Sequence, residues 1–163
     1  MSALTPIEAA SDVETEVRVW MSRVLEHFAC AEQAIGRLCV ALQLPITNGS
    51  LTSLGRLRER LAGAPEKRFR TLENRIARWD SHRPLRHLLA HASLTFAFSA
   101  SGEPMLITRH LPRDASDVTP DKVWTDAERA ELLRQAANDS RSICDQIRNL
   151  LGDPAALLQL RQT

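Results

Sequence analysis

The sequence predicts a mainly α protein, an up-and-down bundle of four to five helices with a small β-hairpin inserted before the last long helix. Three observations support this class. Apolar residues recur at helical spacing through the first forty residues, capping signatures precede several segments, and the apolar period changes to that of a strand near residue 100. With 163 residues, of which 44% are hydrophobic and 25% charged, we expect a single domain over residues 1–163.

The first helix has the clearest pattern. Thr5 and Ser11 each begin a capping box, so the helix can start at either residue. Apolar residues then follow at steps of three and four: Val17, Met21, Val24, Phe28, Ala31, Ile35, Leu38 and Leu42. Pro45 disfavours helical geometry at Leu44, so we expect one helix of about 30 residues to end there. A turn is predicted over residues 46–50, which contain Asn-Gly.

Three shorter helices are predicted next. The first carries Leu54, Leu57 and Leu61 inward and is interrupted by glycine and proline at 63 and 65. The second has four inward residues, Phe69, Leu72, Ile76 and Trp79. Asp80 or Ser81 can cap the third, which is predicted from about His82 to Leu94 with Pro84 in its first turn.

The following segment has strand character. Apolar residues alternate over 95–100 and again over 105–111, with Ser-Gly between them, and this predicts a two-stranded hairpin. Residues 112–124 are predicted to form a loop.

The chain ends in two predicted helices. Thr125 and Glu128 form a capping box at the start of a long helix that continues to Gly152. Its predicted inward residues are Leu133, Ala137, Ser140, Ile147 and Leu151. Asp153 and Pro154 can begin a short last helix.

The charge is distributed unevenly. The whole chain has a net charge of +1, but the segment Gly55–His91 holds ten Arg and Lys against four Asp and Glu, a net charge of +6. Such a zone can bind a polyanion, because neutralising phosphates releases counterions. The same composition is also typical of a solvated helix face, and charge by itself does not separate the two.

Cysteine usage and hydropathy limit the class of protein. The three cysteines, Cys30, Cys39 and Cys144, have no CxxC spacing, and we expect them to be reduced thiols in the core. The sequence contains neither a secretory signal nor an apolar run of membrane-spanning length. A cytoplasmic protein with no membrane partner is therefore predicted.

The stretch "RPLRHLLAHA", residues 83–92, combines cationic and apolar residues in helical phase. Arg83, His87 and His91 share one face, whereas the leucines and Ala92 lie on the other. Histidines four residues apart can bind zinc, but no glutamate follows the first one, no third ligand has a fixed spacing, and the arginines oppose a cation. We therefore expect no metal and no cofactor.

Arg83, His87 and His91 form a polar stripe along this helix, and two other interpretations of the stripe remain. It can be a solvated or partly buried stripe that satisfies hydrogen bonds and has no ligand. It can also act on a phosphodiester without a metal, because imidazole transfers protons near neutral pH and guanidinium binds phosphate with two hydrogen bonds. RNA carries its own nucleophile, the 2′-hydroxyl.

Arg86-His87-Leu88-Leu89-Ala90-His91 resembles the R-polar-x-x-x-H motif of the HEPN family. These are small all-helical proteins, many of them ribonucleases in toxin–antitoxin, phage-defence and RNA-processing systems. The resemblance covers the motif and the helical architecture. Asparagine is the family's more usual residue after the arginine, and the hairpin at 95–111 has no counterpart in the family core.

The resemblance implies a metal-independent endoribonuclease that acts in a homodimer cleft, with His91 in proton transfer, Arg86 on the scissile phosphate and His87 in an orienting role. A cognate antitoxin protein is an implied partner. The basic zone adds Arg75, Arg78 and Arg83 as predicted RNA contacts. Two alternatives stay open: a non-catalytic HEPN-like module that binds RNA, a nucleotide or a protein, and a helical interaction protein whose basic face has no specific ligand.

Overall fold

The computed structural model describes residues 6–45, 53–101, 104–110 and 120–163. Within them the chain forms six helices and three strands, in the order α1 (Pro6–Ala41), α2 (Leu54–Gly63), α3 (Lys67–Ser81), α4 (Arg83–His91), β1 (Ser93–Phe98), β2 (Pro104–Arg109), β3 (Lys122–Trp124), α5 (Asp126–Leu151) and α6 (Pro154–Gln162). The mainly α class and the position of the hairpin before the last long helix are confirmed. In the described part of the chain, each helix is too short or too polar to cross a bilayer.

The chain divides into two compact units. The first, which we call the sheet unit, comprises Met1–Leu25 and Pro84–Arg134. The second, the helical unit, comprises Glu26–Arg83 and Gln135–Thr163. The boundaries fall inside α1 and α5, so each of these helices contributes residues to both units.

The core of the helical unit follows the predicted apolar stripes. All the predicted inward residues of α2 and α3 are buried, as are those that α1 contributes to this unit: Phe28, Ala31, Ile35, Leu38, Leu42, Leu54, Leu57, Leu61, Phe69, Leu72, Ile76 and Trp79. Helices α1 and α3 meet where the Phe28 and Trp79 rings pack with their centroids 5.9 Å apart. The three-and-four spacing alone was sufficient to identify these residues.

Helix α1 ends three residues earlier than predicted. Gln43 adopts φ 57°, and the amides of Gln43 and Leu44 donate to the carbonyls of Val40 and Cys39, both at 2.9 Å. This is a Schellman motif, which satisfies carbonyls of the last turn before Pro45 is reached. At the other end α1 already includes Ser11, so the helix starts near the first of the two capping boxes; Thr5 itself lies outside the described residues, as does the predicted turn at 46–50.

The sheet unit contains an antiparallel sheet of order β1-β2-β3. The hairpin of β1 and β2 is confirmed, but residues 122–124, predicted as loop, form β3. Trp124 explains this third strand, because its ring is buried 5.3 Å from that of Trp20 and its Nε1 donates to Thr108 Oγ1 at 3.0 Å. Both contacts join residues distant in sequence, so a local sequence pattern cannot reveal them.

Helix α4 is shorter than predicted, ending at His91 rather than near Leu94. Ser93 and Leu94 are paired with Arg109 and Thr108 in the sheet. The apolar spacing of this segment is compatible with either structure, and the inter-strand hydrogen bonds of β1 and β2 decide for the strand.

The capping box of α5 is confirmed. Glu128 Oε2 accepts from the Thr125 amide at 2.9 Å, and the Glu128 amide donates to Thr125 Oγ1 at 3.2 Å. The Asp153 cap of α6 is confirmed as well, since its Oδ1 accepts from the Ala156 amide at 3.0 Å.

The predicted inward face of α5 is partly wrong. Ser140 and Ile147 are buried, but Leu133, Ala137 and Leu151 are only half-buried. The buried face is centred one position earlier and consists of Leu132, Ala136, Asp139, Ser140, Ile143, Ile147 and Leu150. The error arose because the buried face of α5 includes an aspartate, Asp139. Aspartate is rarely buried unless it is paired.

The capping box offers a test of local stability. Thr125→Ala is expected to lower the free energy of unfolding by about 1 kcal/mol. The Thr125 amide, followed by Lys122, lowers the pKa of Glu128, so its ionised form stabilises the fold above the ordinary glutamate range, and this contribution is lost as pH falls through the folded pKa.

Glu128→Gln should therefore be less stable than the wild type at pH 7, and the difference should shrink below the ordinary glutamate range and vanish only below the lowered pKa of Glu128. Urea denaturation at pH 7 and at a series of lower pH values measures it. A difference that persists at low pH would show that the charge of Glu128 is not responsible.

Candidate functional site

The polar stripe of α4 lies in the sheet unit from residue 84 onward. Leu88 and Leu89 are buried, Arg86 and His87 are half-buried, and His91 is exposed. The predicted separation of the leucines from the histidines is therefore present, and the stripe places no histidine in the core.

Three histidines of the sheet unit lie close together, and we call them the imidazole cluster: His87, His91 and His110. The ring centroids of His87 and His91 are 4.5 Å apart, as helical spacing predicts, and those of His87 and His110 are 6.4 Å apart. His110 follows β2 directly, and its backbone amide donates to Asp121 Oδ1 at 3.2 Å. His87 is thus central to the cluster.

Sequence reasoning did not place His110 among the catalytic candidates. No local spacing relates it to α4. The sheet brings it there, because Ser93 pairs with Arg109 and the antiparallel register sets the next residue, His110, opposite Ala92 at the end of the helix. The recognisable signal was a histidine immediately after the second strand of a hairpin whose first strand follows the motif helix.

In the described ranges, no group of three or more His, Cys, Asp or Glu side chains is arranged to hold a metal ion. What the cluster can do by itself is transfer protons. Imidazole can both accept and donate a proton near neutral pH, so the cluster brings together the kind of group that acid–base catalysis needs.

Arg75 and Arg78, two predicted RNA contacts, bind an acidic residue of the helical unit. Asp139 on α5 is 1% exposed. Arg78 Nε donates to its two carboxylate oxygens at 2.9 and 3.1 Å, and Arg75 Nη1 donates to Oδ1 at 3.4 Å. The two arginine side chains are 38% and 50% exposed, so their outer surfaces still meet solvent. Their binding of RNA stays a prediction.

Arg83, the third predicted RNA contact, also belongs to the helical unit. Its guanidinium donates to Asp80 Oδ1 at 3.1 Å and lies 5.9 Å from the centroid of the Trp79 ring. The six predicted site residues are thus divided: Arg86, His87 and His91 lie in the sheet unit, and the other three in the helical unit.

Other arginines of the basic zone are engaged in ion pairs within the helical unit. Arg58 Nε binds Glu73 at 3.0 Å, and Arg68 Nη1 binds Asp153 at 2.8 Å. The Ala156 amide, followed by Arg68, lowers the pKa of Asp153. Arg56, Lys67 and Arg70 are exposed. Asp139 and Asp153 lie outside the segment whose net charge is +6, so their pairing with arginines of the segment leaves a smaller net charge for a polyanion to meet.

Comparisons of this chain with protein-family models, with curated proteins and with solved structures find no match. The resemblance to the HEPN family accordingly rests on the residues of α4 and on the mainly α fold.

Proposed function

We propose that this chain is a metal-independent endoribonuclease of the HEPN type. The observation that carries the proposal is the imidazole cluster: one helix supplies His87 and His91 together with Arg86, and the hairpin that follows adds His110. Two kinds of group are needed to cut RNA through its 2′-hydroxyl, a proton-transfer pair and a cation for the phosphate.

In the proposed reaction His91 takes the proton of the 2′-hydroxyl, because it is the exposed imidazole on α4. The 2′-oxygen then bonds to phosphorus while the bond from phosphorus to the 5′-oxygen breaks. A second imidazole of the cluster, His110, donates a proton to that leaving oxygen. The products are a 2′,3′-cyclic phosphate and a 5′-hydroxyl. The reaction as written uses no metal and no redox partner.

Arg86 has the electrostatic role. Its guanidinium can bind two phosphate oxygens and offset the negative charge that grows in the transition state. His87, in ring contact with His91 and next to His110, is a positioning residue that holds the two proton-transferring rings in place.

A homodimer, cytoplasmic location and a role as a toxin or phage-defence component belong to the same proposal. Two copies of α4 facing one cleft would double the cationic groups available to RNA. A cognate antitoxin protein would then act by covering the imidazole cluster.

A second candidate is a module of the same type that binds RNA or a nucleotide without cutting it. It is favoured by one observation: Arg86 and His87 are half-buried, which restricts their access to a phosphate. This candidate predicts affinity for RNA that falls steeply as salt is raised, without product formation.

The deciding experiment is cleavage of labelled single-stranded RNA by the purified 163-residue chain in EDTA. We expect products that end in a 2′,3′-cyclic phosphate, identified by mass spectrometry. A substrate with a single 2′-deoxynucleotide at the cleavage site should remain intact at that position. RNA that is bound but uncut identifies the binding module, and cleavage of the deoxy substrate would exclude the proposed chemistry.

A further inference from the structure

A cavity of about 270 Å³ lies in the helical unit between α1 and α5, and its lining residues include none of the three histidines of the imidazole cluster. Its floor is apolar, with Ile147 and Leu151 from α5. Two of the three cysteines of the chain, Cys30 and Cys144, also line it. The prediction of buried thiols is correct for Cys39 but wrong for Cys30, which is exposed.

The two thiols of the cavity are neighbours on facing helices. Cys144 Sγ approaches the carbonyl oxygen of Cys30 to 3.6 Å, so the side chain of one cysteine touches the backbone of the other. A disulfide needs Cβ atoms about 3.5–4.5 Å apart. The contact of Cys144 Sγ with the Cys30 backbone shows that the two residues are adjacent across the helices, and formation of the disulfide is the step that the experiment below tests.

The environments of the two thiols differ. Burial raises the pKa of the Cys144 thiol, whereas the Cys30 side chain is exposed to solvent. An incoming reagent therefore meets Cys30 first, and Cys144 is placed to react second.

Two guanidiniums also line the cavity. Arg37 lies two turns after Cys30 on α1, and Arg148 lies one turn after Cys144 on α5. Arg148 Nη1 binds Asp145 Oδ1 at 2.9 Å, yet its side chain remains 75% exposed. An apolar floor, two thiols and two cations together suit a small molecule that carries both a disulfide and carboxylates.

We propose that Cys30 and Cys144 form a redox-active dithiol site for a low-molecular-weight, carboxylate-bearing disulfide of the glutathione class. The thiolate of Cys30 attacks one sulfur of that disulfide, a protein–ligand mixed disulfide forms, and one ligand thiol leaves. Cys144, as a thiolate, then attacks the sulfur of Cys30 and releases the second ligand thiol. Two protein thiols are oxidised and one small disulfide is reduced to two thiols, which balances the reaction.

The test uses the 163-residue chain, incubated with glutathione disulfide at neutral pH and examined by intact mass spectrometry. We expect the wild type to lose two hydrogen atoms, and non-reducing peptide mapping to join the Cys30 and Cys144 peptides. Cys144→Ser should instead retain one glutathione on Cys30, because the second step is removed. Cys39→Ser, the matched control in the core, should behave as the wild type.

The role of the guanidiniums has its own readout. Arg37→Ala combined with Arg148→Ala should slow oxidation by glutathione disulfide about tenfold and leave oxidation by uncharged 2-hydroxyethyl disulfide unchanged. A wild-type mixed disulfide that persists, a crosslink that includes Cys39, or equal slowing with both reagents would overturn the proposal. These measurements do not depend on RNA cleavage.

Discussion

Replacing His91 with alanine is expected to lower the rate of RNA cleavage by about 10²–10⁴-fold, the range associated with loss of a general acid or base. His91 is the exposed imidazole of α4 and the one assigned to the 2′-hydroxyl proton. Arg86→Ala should lower the rate about 10²–10³-fold, because the growing phosphate charge then lacks its cation. Single-turnover cleavage of a defined RNA in EDTA gives both rates.

Two matched variants serve as controls for these losses. His27→Ala and Arg141→Ala remove the same side-chain types from the helical unit, outside the basic zone and far in sequence from α4, and should cleave at the wild-type rate. Circular dichroism and thermal unfolding must show that all four variants retain the fold. A folded His91→Ala variant with the wild-type rate would remove His91 from the mechanism.

The same assay distinguishes His110 from His87. His110→Ala should reduce the rate about as much as His91→Ala if His110 protonates the leaving oxygen. His87→Asn, the residue more usual in the HEPN motif, should retain most of the activity, because an amide can still position a neighbouring ring through a hydrogen bond.

The second large effect concerns stability. The double substitution Arg75→Met and Arg78→Met is expected to lower the free energy of unfolding by about 3 kcal/mol. It leaves the carboxylate of Asp139, 1% exposed, without its two cations. We place the loss at the lower end of the range for a broken buried ion pair, because both guanidiniums are partly in solvent.

Asp139→Asn should lower the free energy of unfolding by less than this double substitution does. It removes the buried charge itself, and the two arginines that remain can be hydrated. Urea denaturation of each variant supplies the free energies. Arg56→Met with Arg70→Met removes two exposed guanidiniums from the same unit and should change stability by less than about 0.5 kcal/mol per residue. Equal losses in both double variants would show that Asp139 is not the reason.

Local patterns predicted much of the fold. The stripe of α1, apart from the half-buried Met21, and those of α2 and α3 were correct because each is a run of apolar residues at one helical period, and a strongly amphipathic helix has one face that it can bury. The caps at Thr125 and Asp153 were correct for a similar reason, since a cap depends on residues within one turn.

The errors share a different cause. Strand β3, the early end of α4 and the phase of α5 each depend on a contact with a segment distant in sequence: Trp124 with Trp20, Ser93 with Arg109, and Asp139 with Arg78. A buried aspartate in particular contradicts residue preferences until its partner is known.

The candidate site shows the same division. The sequence by itself determined that Arg86, His87 and His91 lie on one helix, with the two histidines in contact, because helical geometry sets that spacing. Only the tertiary structure decided that His110 joins them, that Asp139 holds Arg75 and Arg78, and that two cysteines 114 residues apart line one cavity. Intervals of three and four residues are encoded locally, whereas these long-range encounters follow from sheet register and helix packing, which depend on the whole chain.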